Sequence, residues 1–474
     1  MKELQQIVVF IRPWDMPFMM QTARSLRAKG VGEKKPIVYI TLWKMAESWL
    51  SQQCDHFEEV IFLGDAIERA RPTMTDIDAY KELESAWCAK GGIPFKIMLS
   101  AERFKPTESN LQMDFLWRHC KVLEPILGQG TLLLSQTVDH LIYWLGCELA
   151  RSRGGEFVAF SCTARPSGHT QVLADATRMR LPRSATDADR AVVQGQRAEL
   201  VDGVKPDFMY AKKSKVGVLG SLKYRKKLIE EMRAGNYFVR PSDLIAVSRG
   251  PDLIHQTRWQ AAQRAMRSQS LDSLTQPFVY FPLHMEPEAT TLVYSPLFND
   301  QAHAIDVIAR SLPSGVSLLV KENPKMWGKR PVSFYERANR NAGLIWVDSD
   351  APSQDILRKC VAAVTLTSTT ALEAVLLDKP VACFGTAPYV SALKSLPRVS
   401  SRDELPVMLR GLISREMWPS HDVLLEEYAT YVANILPTPF YGTELHEGIY
   451  VPAIPLFEGA ADFIVECLTA EEGV

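Results

Sequence analysis

Several of the motifs that mark common enzyme chemistries are missing from this 474-residue chain. No GxGxxG follows its first strand-like run and no GxxxxGK[ST] occurs anywhere, so a dinucleotide dehydrogenase and a P-loop phosphotransferase both fit poorly. GxSxG, the turn that presents a hydrolase serine, is absent as well. Charge of one sign is not in excess: 54 Lys and Arg stand against 55 Asp and Glu, which leaves no global basic field for nucleic acid. Eight cysteines contain no CxxC pair, and nine histidines contain no HExxH. The cysteines therefore read as buried free thiols of a reducing compartment, and no structural metal is expected. No run approaches the roughly 18 apolar residues of a membrane-spanning helix. The N-terminal apolar run IVVFI has only five residues, too few for a signal peptide, and a cytoplasmic protein is expected.

What the chain does have is a repeated rhythm of short apolar runs. IVVFI (7–11), PIVYI (36–40), VIFL (60–63), FKIML (95–99), TLLL (131–134) and FVAF (157–160) alternate with helical patterns such as 16–30 and 138–153. Continuous rather than alternating apolarity predicts parallel strands covered on both faces. The rhythm restarts at FVYF (278–281) and continues through VSLLV (316–320), LIWV (344–347), AAVTL (362–366) and VACF (381–384), with one helical segment in each gap. The fold class expected is α/β, with two doubly wound Rossmann-type domains. The boundaries read as 1–200 for the first domain, 201–275 for a basic helical linker, 276–400 for the second domain, and 401–474 for a tail packing back across both. KYRKKLIEEMR (223–233) and QTRWQAAQRAMRSQ (256–269) in the linker are either a solvated helical surface or a patch for anionic lipid or an anionic acceptor.

In an open parallel sheet, ligands sit beyond the carboxyl ends of the strands. In the second half those loops are HMEPEATT (284–291), KENPKMWGKRP (321–331), DSDAPS (348–353), TSTT (367–370) and GTAPY (385–389). All are polar or small while the strands are not. The hydroxyl run after the fourth strand fits two roles. Ser368, Thr369 and Thr370 suit an anion at a helix start, and Thr370 with Glu373 fits a capping box. Lys321 is a cation at the mouth of the same loops, with Glu322 read as its solvated neighbour. His284, followed by Glu286, stands at the first strand's end, where a structural and a functional role are both open. By elimination the chain reads as a nucleotide-sugar enzyme, with the donor in the second domain and the acceptor in the first.

FPLHMEPEATT, VKENPKMWGKRPVSFYE, SQDIL and TSTTALEAVLLDKPVACFG, in that order over 278–389, resemble bacterial capsular polysaccharide biosynthesis proteins. That group includes β-Kdo transferases of the GT-B architecture. A weaker likeness runs through AERF (101–104), TLLLSQTVDHLIYWLGCELA (131–150) and SCTARPSG (161–168). The resemblance implies metal-independent transfer of an acidic, Kdo-like sugar from a CMP-linked donor to a cell-surface polysaccharide or glycolipid. It implies no cofactor beyond that donor, and peripheral contact at the inner membrane stays open. It would place the nucleotide against Lys321, Asn323 and Pro324 and the hydroxyls at 368–370, with Glu373 near the ribose.

Two departures stand out. Asn323 replaces a histidine usual in relatives and cannot carry a proton charge. Gln136 occupies a place where relatives often have an acid. A glycosyl transfer needs a general base or a carboxylate nucleophile, for which Asp139, with His140 beside it, is the nearest replacement. Glu102 and Asp272 are outside candidates, and Arg165 suits an acidic acceptor. A UDP-sugar transferase, a sugar-nucleotide epimerase and a non-catalytic glycan-assembly subunit are the competing readings.

Overall fold

The computed structural model describes residues 4–13, 15–103, 109–136, 138–163, 165–203, 226, 229–230, 232–235, 252–437, 444–446, 449–451 and 457–470. Most of the basic stretch 223–233 lies outside them. The chain divides into two compact units, one built from 1–182, 224–248 and 434–474, the other from 183–223 and 249–433.

Unit 1 is a seven-stranded sheet. Its strands are β1 (Gln6–Ile11), β2 (Ile37–Thr41), β3 (Glu58–Phe62), β4 (Thr131–Gln136), β5 (Glu156–Cys162) and β6 (Thr170–Leu173), joined late in the chain by a short strand at Ile435–Leu436. In spatial order β2 and β3 lie on one side of β1, and β4, β5, β6 and the late strand on the other. β1 to β5 are parallel, whereas β6 runs against β5 and the late strand against β6. Every residue of β2 and β4 is buried, as continuous apolarity demands of a sheet covered on both faces. One cover is the helix Met16–Ala28 together with the helix Phe457–Thr469, whose Ala23, Ala460, Ala461, Phe463 and Ile464 share a core with Ile7, Val9 and Tyr39.

Unit 2 is a five-stranded, all-parallel sheet of β7 (Phe278–Pro282), β8 (Ser317–Lys321), β9 (Leu344–Trp346), β10 (Ala362–Thr365) and β11 (Val381–Cys383), in the order β11-β10-β7-β8-β9. All five apolar runs of the second half are therefore strands. Asp300 starts the helix Gln301–Ser311 by accepting from Ala302 N–H at 3.0 Å and His303 N–H at 3.2 Å, the ordinary work of an N-cap aspartate.

Three expectations differ from what is seen. FKIML is not a strand but the core of the helix Phe95–Ser100, which follows Pro94 and buries Phe95, Met98 and Leu99. Those positions are spaced i, i+3, i+4, and a short apolar run alone cannot decide between strand and helix. The first boundary falls at 182 rather than 200. The helix Asp187–Val201 joins unit 2, where Tyr428 Oη donates to Gln196 Oε1 at 3.0 Å and Arg190 pairs with Glu426 at 2.7 Å. The segment after 400 is split: 401–433 stays in unit 2, and 434–474 belongs to unit 1.

Both units are Rossmann-like α/β sheets. Because Phe463 is fully buried in the unit 1 core, replacing Phe463 by Ala is expected to lower unfolding stability by about 3–5 kcal/mol, measured by urea denaturation.

Candidate functional site

Each sheet reverses its strand order once, at β1/β4 in unit 1 and at β7/β10 in unit 2. Loops leaving two such strands depart to opposite faces and open a crevice between them. In both units the polar residues collect there.

In unit 2 the crevice is bridged by His284, in the loop after β7, and Thr367, after β10: the Thr367 N–H donates to His284 Nε2 at 3.2 Å. The accepting nitrogen must be unprotonated, so the ring carries its proton on Nδ1. Burial, and then the Arg330 charge, push this imidazole down to about 4, so it is neutral at physiological pH. His284 Nδ1 and Thr367 Oγ1 are both buried and lack a partner among the described residues.

The hydroxyl run is arranged differently from a capping box. Ser368 Oγ accepts from Thr370 N–H at 3.2 Å and lies 3.0 Å from Thr370 Oγ1. Thr369 is the N-cap by position, with no side-chain cap bond, and the helix runs Thr370–Leu376. Thr370 is thus already helical, too far along for its hydroxyl to close a box with Glu373. The turn is clamped from below, since Thr365 Oγ1 accepts from Ser368 N–H at 3.1 Å and Tyr389 Oη donates to the Ser368 carbonyl at 2.7 Å. Gly385 supports it from the side: a Cβ there would stand 2.6 Å from Thr367 Cγ2 and 2.8 Å from the Tyr294 carbonyl oxygen.

Lys321 closes β8. Its Nζ donates to Ser353 Oγ at 3.2 Å, and the buried Tyr280 hydroxyl donates to the same oxygen at 3.3 Å. Burial pulls the Lys321 ammonium down to about 8, opposed by the Asp350 and Glu373 carboxylates. Glu373 is itself buried. Lys321, Asp350, Ser353 and Glu373 therefore come from three different segments of the chain to one place.

The neighbouring residues are structural. Glu322 is not solvated but buried, accepting from Tyr335 Oη at 2.7 Å, from its neighbour Asn323 N–H at 2.7 Å, and from Arg330 Nε at 3.0 Å. Arg330 also pairs with Glu286 and donates to the His284 carbonyl. Burial raises the Glu322 carboxyl and lowers the Arg330 guanidinium. The Tyr335 and Asn323 donors oppose the rise at Glu322. Asn323 Oδ1 accepts from Lys325 N–H at 3.0 Å and caps the turn Pro324–Met326. Asp272 pairs with Lys359 at 2.7 Å, where the chain leads into the amino end of β10, away from the loops that form the crevice.

In unit 1 the crevice holds Gln136, Asp139 and His140, together with three residues that the sequence pattern does not single out: Arg12, Asp15 and Tyr143. Arg12 follows β1, is buried, pairs with Asp139 through both terminal nitrogens, and donates from Nε to Tyr143 Oη at 2.8 Å. Burial works against its charge, but Asp139 and Tyr143 more than offset this and its pKa is raised. Asp15 accepts from Arg12 N–H at 2.9 Å and from Gln136 Nε2. Burial pushes the Asp15 carboxyl up to about 7, against those donors. Gln136 is sealed in this contact, whereas the Asp139 side chain keeps 32% of its surface open. Glu102 is buried and accepts from Leu141 N–H at 2.8 Å. Arg165, after β5 on the same sheet edge, is buried too. A basic residue directly after a strand in RPWD (12–15) is the signal that could have pointed to Arg12 and Asp15. Among the described residues no group of three or more His, Cys, Asp or Glu side chains could hold a metal ion, and no helix is long and apolar enough to cross a membrane.

No curated protein matches the sequence. Among solved structures, the chain overlaps a β-Kdo 2,7 transferase, KpsC, of Thermosulfurimonas dismutans at 13% identity and TM-score 0.32, over 74% of this chain and 89% of that one. It overlaps WaaG, a glycosyltransferase involved in lipopolysaccharide biosynthesis, at 10% identity and TM-score 0.30, over 97% and 99%. It overlaps the UDP-GlcNAc 2-epimerase of Methanocaldococcus jannaschii at 8% identity and TM-score 0.26, over 90% and 98%. Overlap at this level is no guide to activity.

With Arg330 changed to Met, the Glu322 and Glu286 carboxylates lose their counter-charge, Glu322 in a fully buried site. A loss of about 3–5 kcal/mol is expected, read from thermal or urea unfolding. Residues 245–392 match the family described as capsule polysaccharide biosynthesis protein, and the crevice of unit 2, from His284 to Gly385, lies within that segment.

Proposed function

We propose that the chain is a glycosyltransferase of capsule polysaccharide assembly, and that unit 2 binds its nucleotide-sugar donor at the β7/β10 crevice. The observation that carries this is Lys321. A lysine buried at a strand's carboxyl end, with its ammonium destabilised to about 8, costs the fold free energy unless an anion compensates it. Arg330 is committed to Glu286 and Glu322, so Lys321 is the cation at the crevice that stays available to a ligand phosphate. The hydroxyls of Ser368 and Thr370 stand at the other wall, and the partnerless Nδ1–H of His284 offers a further donor. A single cation offset by Asp350 and Glu373 suits one phosphate better than two, in keeping with a CMP-linked acidic sugar as donor. The acceptor is a growing glycan or glycolipid, and the capsule-family match over 245–392 supports that setting.

The experiment is nucleotide binding followed by donor turnover. CMP is expected to bind and to protect the protein against thermal unfolding, and a CMP-sugar to release CMP when a glycan acceptor is present. Binding by neither CMP nor UDP would end the reading, and UDP in place of CMP would redirect it to a UDP-sugar. Binding without turnover would favour a non-catalytic assembly subunit. Lys321→Met should weaken CMP by about 10- to 100-fold through loss of a charge-assisted contact, while leaving unfolding stability unchanged or higher, because a costly buried charge has gone. The pH dependence has a definite sign. The protonated lysine binds phosphate, so wild-type affinity should fall about tenfold per unit as pH rises above about 8, and Lys321→Met should remove that slope. Calorimetry across pH 7 to 9.5 checks both.

A further inference from the structure

We propose that Ser353 donates its hydroxyl proton to the ligand phosphate that Lys321 neutralises, and that the buried Tyr280 phenol is its positioning residue. The proposal rests on the transferase reading and deepens it, within unit 2 alone. Pro282 of β7 is the register partner of Lys321 at the end of β8. Tyr280, two residues before Pro282, therefore points to the same face of the sheet as Lys321. Ser353, which follows Pro352 and opens the helix Ser353–Lys359, meets both side chains on that face.

The direction of each hydrogen bond follows from what the groups can do. An ammonium only donates, so Lys321 Nζ takes one lone pair of Ser353 Oγ, at 3.2 Å. Tyr280 is fully buried, and burial raises its pKa and keeps the phenol protonated. A buried phenol proton left without an acceptor is costly, and Ser353 Oγ, 3.3 Å away, is the acceptor that the described residues offer. Both lone pairs of the serine oxygen are then taken. Its own proton has to point away from Lys321 and Tyr280, and among the described residues Ser353 donates to no acceptor. The side chain is half-buried, so a ligand seated on Lys321 can reach that proton.

A hydroxyl that accepts from an ammonium and a phenol is polarised by both and becomes a stronger donor. The acceptor that gains most from such a donor is an anionic oxygen. Because Ser353 Oγ already lies at hydrogen-bond distance from Lys321 Nζ, one phosphate can meet the cation and the hydroxyl together. The acids beside Lys321, Asp350 and Glu373, only accept when ionised. Ser353 thus adds a donor next to the cation without adding charge, and Tyr280 fixes the direction in which it donates.

The test is CMP affinity by calorimetry in the full chain, with urea unfolding alongside; UDP is the probe if it binds in place of CMP. Ser353→Ala is expected to weaken the nucleotide about tenfold, through loss of a donor to a charged acceptor. Ser353→Thr keeps the hydroxyl and should bring affinity back to within about threefold of wild type. Tyr280→Phe lets the serine proton turn away from the phosphate, and binding about threefold weaker is expected, with no further loss when it is added to Ser353→Ala. Ser353→Ala combined with Lys321→Met should cost less than the product of the two single effects, because both groups meet one phosphate; the full product would overturn the shared contact. Wild-type affinity in Ser353→Ala would overturn the assignment and leave the transferase reading intact. Equal losses in Ser353→Ala and Ser353→Thr would do the same, since they mark a packing role. An effect of Tyr280→Phe that persists undiminished in Ser353→Ala would overturn the positioning role. Binding of neither nucleotide by the wild type would remove this inference and the transferase reading together.

Discussion

The organising constraint in this protein is the gap that an open parallel sheet creates where its strand order reverses. Two adjacent strands send their loops to opposite faces, and the backbone and side-chain polar groups between them cannot be satisfied by either loop alone. Each unit closes the floor of that gap with polar bonds. In unit 1, Arg12 pairs with Asp139 while Asp15 accepts from Gln136. In unit 2, His284 accepts from the Thr367 amide. Because these bonds tie the first strand of each unit to the strand across the reversal, the groups above them are held at fixed separations.

The same bonds decide which groups stay available for chemistry. Arg330 is locked between two carboxylates and the His284 carbonyl, which makes the loop after β8 rigid and spends its charge internally. Lys321 carries the cost of burial without a short ion pair. In unit 1, Arg12 pairs with Asp139, while His140 has a carboxylate near each ring nitrogen. Acidic and basic groups thus meet at both reversals: a lysine set among acids in unit 2, and an imidazole flanked by carboxylates in unit 1.

Much of this was legible in the sequence because burial on both faces forces a strand to be continuously apolar. The five runs of the second half could be read directly, and with them the loops that carry Lys321 and Ser368. What could not be read was set by tertiary partners. Nothing in KENPKMWGKRP says that Glu322 turns inward, because its partner Tyr335 lies beyond that stretch and its pairing with Arg330, eight residues on, depends on how the loop folds. The capping box suggested by Thr370 and Glu373 failed because Ser368 reached the Thr370 amide first. FKIML was ambiguous because strand and short helix share the same apolar count. Arg12 and Asp15 escaped notice because their importance lies in Asp139 and Gln136, more than 100 residues away.

The division of unit 1 between the two ends of the chain has a consequence for synthesis. A ribosome that has delivered residue 433 has supplied every segment of unit 2, but still withholds the short edge strand and the helix Phe457–Thr469 that cover the first unit's sheet. The unit 1 sheet, although made before most of unit 2, waits with an apolar face uncovered until residues 457–469 emerge. Every segment of unit 2 is thus available before unit 1 can be completed, although unit 1 begins earlier in the chain.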